Sequence, residues 1–274
     1  MATEGACGSH HGDLLVPHRL LTTRPFVLAE TTWATVKETS YQTALLPWAA
    51  IEAHNYHLPY ATDLLLCDYI AAESARIAWE RGARIILLPA LPFGVNTGQL
   101  DIPLTINMNP STQMMVLTDV VASLAQQGIP KLVVFNGHGG NDFRQMIREL
   151  QPRFPAIFLS CLNWQQVLDP APYFQPRDHA GDLETSLLLH CAPQLVRPLA
   201  EAGPGMSKHF TVRALREKWA WAPRAWTRVT WDTGVGDPKH ATALKGAEYF
   251  AALTTKIADF LVDLSARSLD DLYE

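Results

Sequence analysis

Residues 131–141 read Lys-Leu-Val-Val-Phe-Asn-Gly-His-Gly-Gly-Asn. Leu132 to Phe135 are four successive apolar residues of β-forming type, without the polar alternation of a half-exposed strand. Such a run predicts a strand buried on both faces, as in a parallel sheet covered by helices. It stops at glycines, which let the backbone turn sharply. A helix over 139–154 and a strand over 156–162 are expected to follow.

The same reading extends outward in both directions. Residues 43–51 (TALLPWAAI) and 83–91 (ARIILLPAL) are further continuous apolar runs. Helical spacing predicts helices over 28–40, 63–81, 109–127, 181–191 and 241–264. Gly82 and Gly128 are placed to stop the second and third of these. Residues 104–109 alternate Leu, Ile, Met with Thr, Asn, Asn, which suggests a half-exposed strand. Strands alternating with helices predict a three-layer α/β/α sandwich with a mostly parallel sheet. Residues 202–238 are rich in Trp, Arg, Gly and Pro and have no clear period. A stretch of that length is usually functional or a subunit contact. No composition shift divides the chain, so a flexible N-terminal segment (1–25) and a single domain (26–274) are expected.

Composition narrows the function. Of 274 residues, 48% are hydrophobic and 18% charged, against ~25% charged on average, so a large core is expected and disorder is excluded. The net charge is −5 and no basic block stands out, which argues against nucleic acid. The apolar runs are too short to span a bilayer, and the N-terminus has no basic-then-apolar leader. Cys7, Cys67, Cys161 and Cys191 lie far apart with no C-x-x-C pair. They read as reduced thiols of a cytoplasmic protein.

Ionisable residues gather where the strands end. Glu52 and His54 follow the first apolar run, with His57 and Asp63 beyond. Two residues apart in extended chain, Glu52 and His54 face one side. A carboxylate and an imidazole there suit Zn²⁺ or Mn²⁺. Asp63 reads either as a helix cap or as a bridge between two ions, and His57 as a packing histidine or one that supports a ligand from behind rather than as a ligand. His138, inside the second turn, favours metal ligation, although a glycine turn at a helix start also suits phosphate. The turn lacks the lysine of a P-loop and the G-x-G-x-x-G spacing. A third cluster runs from Asp178 and His179 to Asp182 and Glu184, and reads equally as a helix start favoured by the dipole.

Together these stretches resemble the creatininase (creatinine amidohydrolase) family. The chain reads E-A-H-N-Y-H-L-P-Y-A-T-D over 52–63, N-G-H-G-G-N over 136–141 and H-A-G-D-L-E-T-S over 179–186. Further matches are LAETTWATVKE (28–38), Asp101-Ile102-Pro103 with Thr105-Ile106, and GVGDPKHATALKG (234–246). The resemblance implies divalent-metal ligands at Glu52, His54, Asp63 and His138, with Asp63 bridging two ions. It implies catalytic roles for His179 and Glu184, and a ring-like homo-oligomer such as a hexamer. Tyr56, Gly139 and Asp178 are the expected substrate contacts.

The chain also departs from the family pattern. Gly139 and Gly140 stand where creatinine-hydrolysing members have a tyrosine and a metal-binding glutamate, and the run Phe174-Gln175-Pro176-Arg177 ahead of Asp178 lacks their tryptophan and aspartate. The departures imply a substrate other than creatinine, and either Glu184 as a replacement ligand for the second ion or a weakly held second ion. The expected activity is metal-dependent hydrolysis of a C–N bond in a small cyclic or linear amide, with one or two Zn²⁺ or Mn²⁺ per chain. A formamide hydrolase or a peptide-trimming hydrolase is the alternative within the family. A phosphate- or nucleotide-binding protein, or an inert metal-binding subunit, is the alternative outside it.

Overall fold

The computed structural model describes residues 23–175 and 179–273. The expected flexible segment 1–25 falls mostly outside them, as do Cys7 and Asp178. In chain order the elements are α1 (Trp33–Val36), β1 (Thr43–Trp48), α2 (Thr62–Glu80), β2 (Ile85–Leu87), α3 (Pro110–Gln126), β3 (Lys131–Asn136), α4 (Arg144–Leu150) and β4 (Phe158–Asn163). They continue with α5 (Asp182–Cys191), α6 (Arg213–Arg216), α7 (Trp226–Val229) and α8 (Ala243–Ala266). The four strands form one sheet in the order β2-β1-β3-β4, and every pairing is parallel.

Side chains alternate across this sheet into two apolar layers. Leu45, Val133 and Phe135 pack with Leu66 and Ile70 of α2, Leu187 of α5 and Leu253 and Ile257 of α8. Ala44, Leu46, Leu132 and Val134 pack with Leu117 and Val121 of α3 and Met146 of α4. With apolar residues pointing both ways, β1 and β3 are wholly buried, which explains their unbroken apolar sequence. The result is an α/β/α sandwich.

Both glycine stops do what their positions predict. Gly82 (φ +95°) and Gly128 (φ +75°) sit just past α2 and α3 in the left-handed region. Ala83 N donates to Ala78 O, and Ile129 N donates to Leu124 O, closing the six-to-one turn that ends a helix.

Four elements differ from expectation. The helix expected over 139–154 begins only at Arg144 and ends as a 3₁₀ turn at Arg153. The strand expected over 83–91 shrinks to Ile85–Leu87, because Pro47 of β1 has no N–H to offer on that side and Pro89 breaks the run itself. The first helix is a 3₁₀ turn (Leu28–Glu30) and the one-turn α1. Residues 104–109 form no strand; Ile106 makes an isolated bridge to Ile51, and Met108 packs against the core layer beneath the sheet. Cys67, Cys161 and Cys191 are free thiols. No helix among the described residues is long and apolar enough to cross a membrane.

The topology fixes where a site can form. From β1 the chain moves to β2 on one side, then returns through α3 to β3 on the other. The carboxyl ends of β1 and β3 therefore flank the switch point, where ligands of open α/β sheets bind. Trp48 is in register with Asn136, so Glu52 and His138 leave the sheet side by side.

Candidate metal centre

Six side chains from four segments meet at that switch point. Glu52 and His54 come from the loop after β1, Asp63 from the first turn of α2, and His138 from the turn after β3. His179 and Glu184 come from the turn into α5 and its first turn. All six are buried.

Two amides hold the turn that carries His138. Asn136 Oδ1 accepts from His138 N at 3.1 Å and Asn141 Nδ2 at 3.0 Å, while Asn136 Nδ2 donates to His138 O at 2.9 Å. Asn141 Oδ1 in turn accepts from Val95 N and Gln113 Nε2. A similar lock holds the loop after β1. Asn55 adopts φ +56°, a conformation asparagine tolerates better than most residues. Its side chain exchanges hydrogen bonds with Gly203, and its N–H donates to Thr233 Oγ1 at 2.8 Å.

The three histidines share one orientation rule. His54 Nδ1 faces Glu52 O at 3.0 Å, His138 Nε2 faces Val95 O at 3.1 Å, and His179 Nε2 faces Ala53 O at 2.8 Å. Each carbonyl can only accept, so each of these nitrogens carries its proton. That leaves His54 Nε2, His138 Nδ1 and His179 Nδ1 as the inward atoms. Outer-sphere bonds of this kind fix the tautomer of a metal-ligating histidine.

The inward nitrogens face carboxylates. Asp63 Oδ1 lies 3.2 Å from His54 Nε2, and Asp63 Oδ2 lies 2.8 Å from His138 Nδ1. Glu52 Oε1 is 3.1 Å from His138 Nδ1 and 3.6 Å from His179 Nδ1. Glu184 Oε2 is 3.9 Å from His54 Nε2 and accepts from Ala180 N at 2.7 Å. Ala180 holds φ +52° to present that amide, a strained position of the kind that gathers at functional sites.

Three overlapping sets place their ligand atoms within 4.8 Å of one another: Glu52, Asp63 and His138; His54, Asp63 and Glu184; and Glu52, His54 and His179. Asp63 gives one oxygen to each of the first two. Three carboxylates and three imidazoles are a suitable donor set for zinc or manganese. The electrostatics also ask for cations here. Burial works against a charge on His54, but Asp63 and then Glu184 and Glu52 outweigh it and push its pKa up to about 9. His138 is likewise raised, with Glu52 and Asp63 overcoming its burial. Burial would raise Asp63, yet His54 and His138 hold it well below the carboxylate range. Buried carboxylates are costly unless paired with positive charge.

His57 stands apart. Its Nε2 meets Thr185 Oγ1 at 2.9 Å and it joins none of the three sets. Burial, and next the charge of His54, push its pKa down to about 4. It is a packing histidine, as the sequence suggested. Tyr56 is exposed, and its hydroxyl donates to Trp231 O at 3.4 Å. Gly139 has open space where a side chain would stand, but a Cβ at Gly140 would overlap Val95 O and His138 Nε2. The turn therefore has no room for a carboxylate at position 140, and Glu184 stands in the set with His54 and Asp63. A cavity of about 540 Å³ abuts this turn, lined among others by Gly139, Asn163, Gln166 and Trp221.

Sequence reasoning did not single out Gln99 or Asp232, and read Trp226 only as one of the tryptophans of the irregular, candidate subunit-contact segment. Gln99 Nε2 donates to Glu52 Oε2 in a short hydrogen bond. Trp226 stands edge-on to the His179 ring at 5.3 Å. Asp232 accepts from Gly205 N and Gly234 N, tying the irregular segment to itself beside Asn55. The Gln99 and Trp226 contacts join distant parts of the chain and leave no local pattern; of the Asp232 bonds, only that to Gly205 N is long-range.

Comparison with known proteins bears on the family and the fold. The family model for creatinine amidohydrolase matches residues 29–261. The creatinine amidohydrolase of Pseudomonas putida is 31% identical over 176 residues, which is 56% of this chain and 65% of that protein. The chain thus spans slightly less than two thirds of that relative. A mycofactocin precursor peptide peptidase of Mycobacterium tuberculosis (strain CDC 1551 / Oshkosh) is 29% identical over 76% of this chain and 80% of its own length. Among solved structures, a creatinine amidohydrolase homologue from Bacteroides fragilis NCTC 9343 superposes with TM-score 0.86 at 44% identity, covering 92% of this chain and all of that one. Creatininase structures of a Zn-Zn type and a Mn form share the fold at 23% identity, with TM-scores of 0.74 and 0.71.

Proposed function

The chain belongs to the creatininase family, and on that premise we propose that it is a metal-dependent hydrolase of C–N amide bonds whose substrate is not creatinine. The observation that carries this reading is Asp63, whose two carboxylate oxygens face two histidines in two separate ligand sets. Such an arrangement suits a pair of divalent ions, Zn²⁺ or Mn²⁺. Glu52, Asp63 and His138 would hold one ion, and His54, Asp63 and Glu184 the other. When bound, the ions supply Lewis-acid polarisation of the amide carbonyl and a water acidic enough to ionise near neutral pH.

The chain's own groups do the rest. Glu184 has Oε2 fixed by Ala180 N, leaving Oε1 to take the proton of the attacking water and return it to the leaving nitrogen. Proton transfer of that kind contributes ~10²–10⁴ in rate. His179, braced by Trp226 and by its bond to Ala53 O, turns the lone pair of Nδ1 inward, 3.6 Å from Glu52 Oε1, where it can accept a proton from the attacking water or add to an ion's ligands. Gly139 and Tyr56 border the space left for substrate.

Residues 26–274 read as one domain and the working form as a cytoplasmic homo-oligomer. Trp219, Trp221 and Trp231 are each at least 74% exposed in the single chain, and aromatic residues are enriched at subunit interfaces. Elemental analysis, followed by an amide-hydrolase screen with and without chelator, tests the proposal. One to two Zn²⁺ or Mn²⁺ per chain and chelator-sensitive release of ammonia or amine are expected. A chain that neither carries nor takes up a divalent ion would refute it.

A further inference from the structure

We infer that Gln99 is a positioning residue that sets how Glu52 meets the metal, an inference resting on the metal-centre reading above. Gln99 lies in a 3₁₀ turn (Thr97–Gln99) far in sequence from every group of the centre. It is 6% exposed. Its Nε2 donates to Glu52 Oε2, while Glu52 Oε1 is the oxygen that faces His138 Nδ1. An amide donor on one carboxylate oxygen competes with a cation for that oxygen and favours the other as the ligand. Gln99 thereby orients the Glu52 carboxylate so that Oε1 is the oxygen offered to the cation.

The turn is itself pinned from behind. Gln99 N donates to Asn96 O at 2.9 Å, and Asn96 N accepts no freedom either, donating to Asn107 Oδ1 at 2.7 Å. Gly98 packs so closely on the irregular segment that a Cβ there would overlap the Arg224 carbonyl oxygen. Thr227 Oγ1 donates to Asp101 Oδ2 in a short bond just beyond the turn. The segment over 202–238 thus braces the metal centre twice, through Trp226 on His179 and through Gln99 on Glu52.

Gln99→Met keeps length and volume and removes the donor. Zn²⁺ affinity, measured by competition with a chromogenic chelator, is expected to fall 10–100-fold, the range for loss of an outer-sphere partner. In a Glu52→Ala background the same change should alter affinity by less than about twofold, because the group it acts through is gone. Equal losses in the two backgrounds would make Gln99 a packing residue and overturn the inference; so would a Gln99→Met protein that binds Zn²⁺ like wild type. Should Gln99→Met not fold, Gly98→Ala carries the test: displacing the turn with Gln99 intact is expected to weaken Zn²⁺ binding, and unchanged binding overturns the inference. A wild-type chain that takes up no Zn²⁺ instead refutes the metal-centre reading beneath it.

Discussion

Replacing Asp63 by asparagine removes one charge and changes almost no volume. In the structure Oδ1 serves the His54 side at 3.2 Å and Oδ2 serves the His138 side at 2.8 Å. Zinc sites with four ligands bind with ~10–16 kcal/mol, or about 3 kcal/mol per ligand, which is ~100-fold in affinity per ion. Because Asp63 belongs to two ligand sets, Asp63→Asn should weaken both ions by that factor. Glu184 belongs to one, so Glu184→Gln should weaken one ion and spare the other. The assay is metal content per chain after dialysis against graded chelator, with the melting temperature of the chelated proteins as a control for folding. The two variants should part at the chelator level where Glu184→Gln retains one ion and Asp63→Asn retains none. Retention of one tight ion by Asp63→Asn would show that Asp63 does not bridge, and equal losses in the two variants would remove its special place.

Further outcomes follow from the same geometry. Glu184→Gln should also lower amide turnover at least ~100-fold when assayed at saturating metal; turnover within a few-fold of wild type would leave Glu184 as a helix-start carboxylate. His57, with its folded pKa down at about 4 against ~6.5 unfolded, binds fewer protons in the folded chain. Its contribution is therefore intact above pH 6.5 and lost as pH falls toward 4. Urea unfolding should find wild type losing about 2 kcal/mol more than His57→Gln between pH 7 and pH 5, and parallel pH profiles would contradict this. Creatinine should be a poor substrate, because position 140 has no room for a side chain and position 139 presents none; turnover at the ~10 s⁻¹ of a typical enzyme would show that inference wrong.

Much of the fold is legible in the sequence, for reasons that also mark the limits. The run at 131–136 is a strand with those bounds because an apolar stretch between polar ends has nowhere else to bury both faces. The glycines at 82 and 128 end their helices because only the left-handed backbone closes those turns. What failed was tertiary. The length of β2 depends on a missing N–H in its neighbour, at Pro47, which no reading of residues 83–91 contains. The alternation at 104–109 resembles a strand, yet the chain there returns to touch Ile51 at a single bridge. The candidate site divides in the same way. Glu52, His54, Asp63, His138, His179 and Glu184 stand in short ordered motifs, and the structure brings all six together. Gln99, Asn55 and Trp226 act across long stretches of chain, through an amide, a left-handed turn and a ring edge, none of which leaves a local pattern.

Crystals of the zinc-loaded protein, measured on both sides of the zinc absorption edge, put the account to its most direct test. Two anomalous peaks are predicted, one on each side of the Asp63 carboxylate. One should lie against His138 Nδ1 and Glu52 Oε1, the other against His54 Nε2 and Glu184. Zinc bound elsewhere on the chain, or no peak within this cluster at full loading, would contradict the claim that these residues form a two-metal hydrolytic centre.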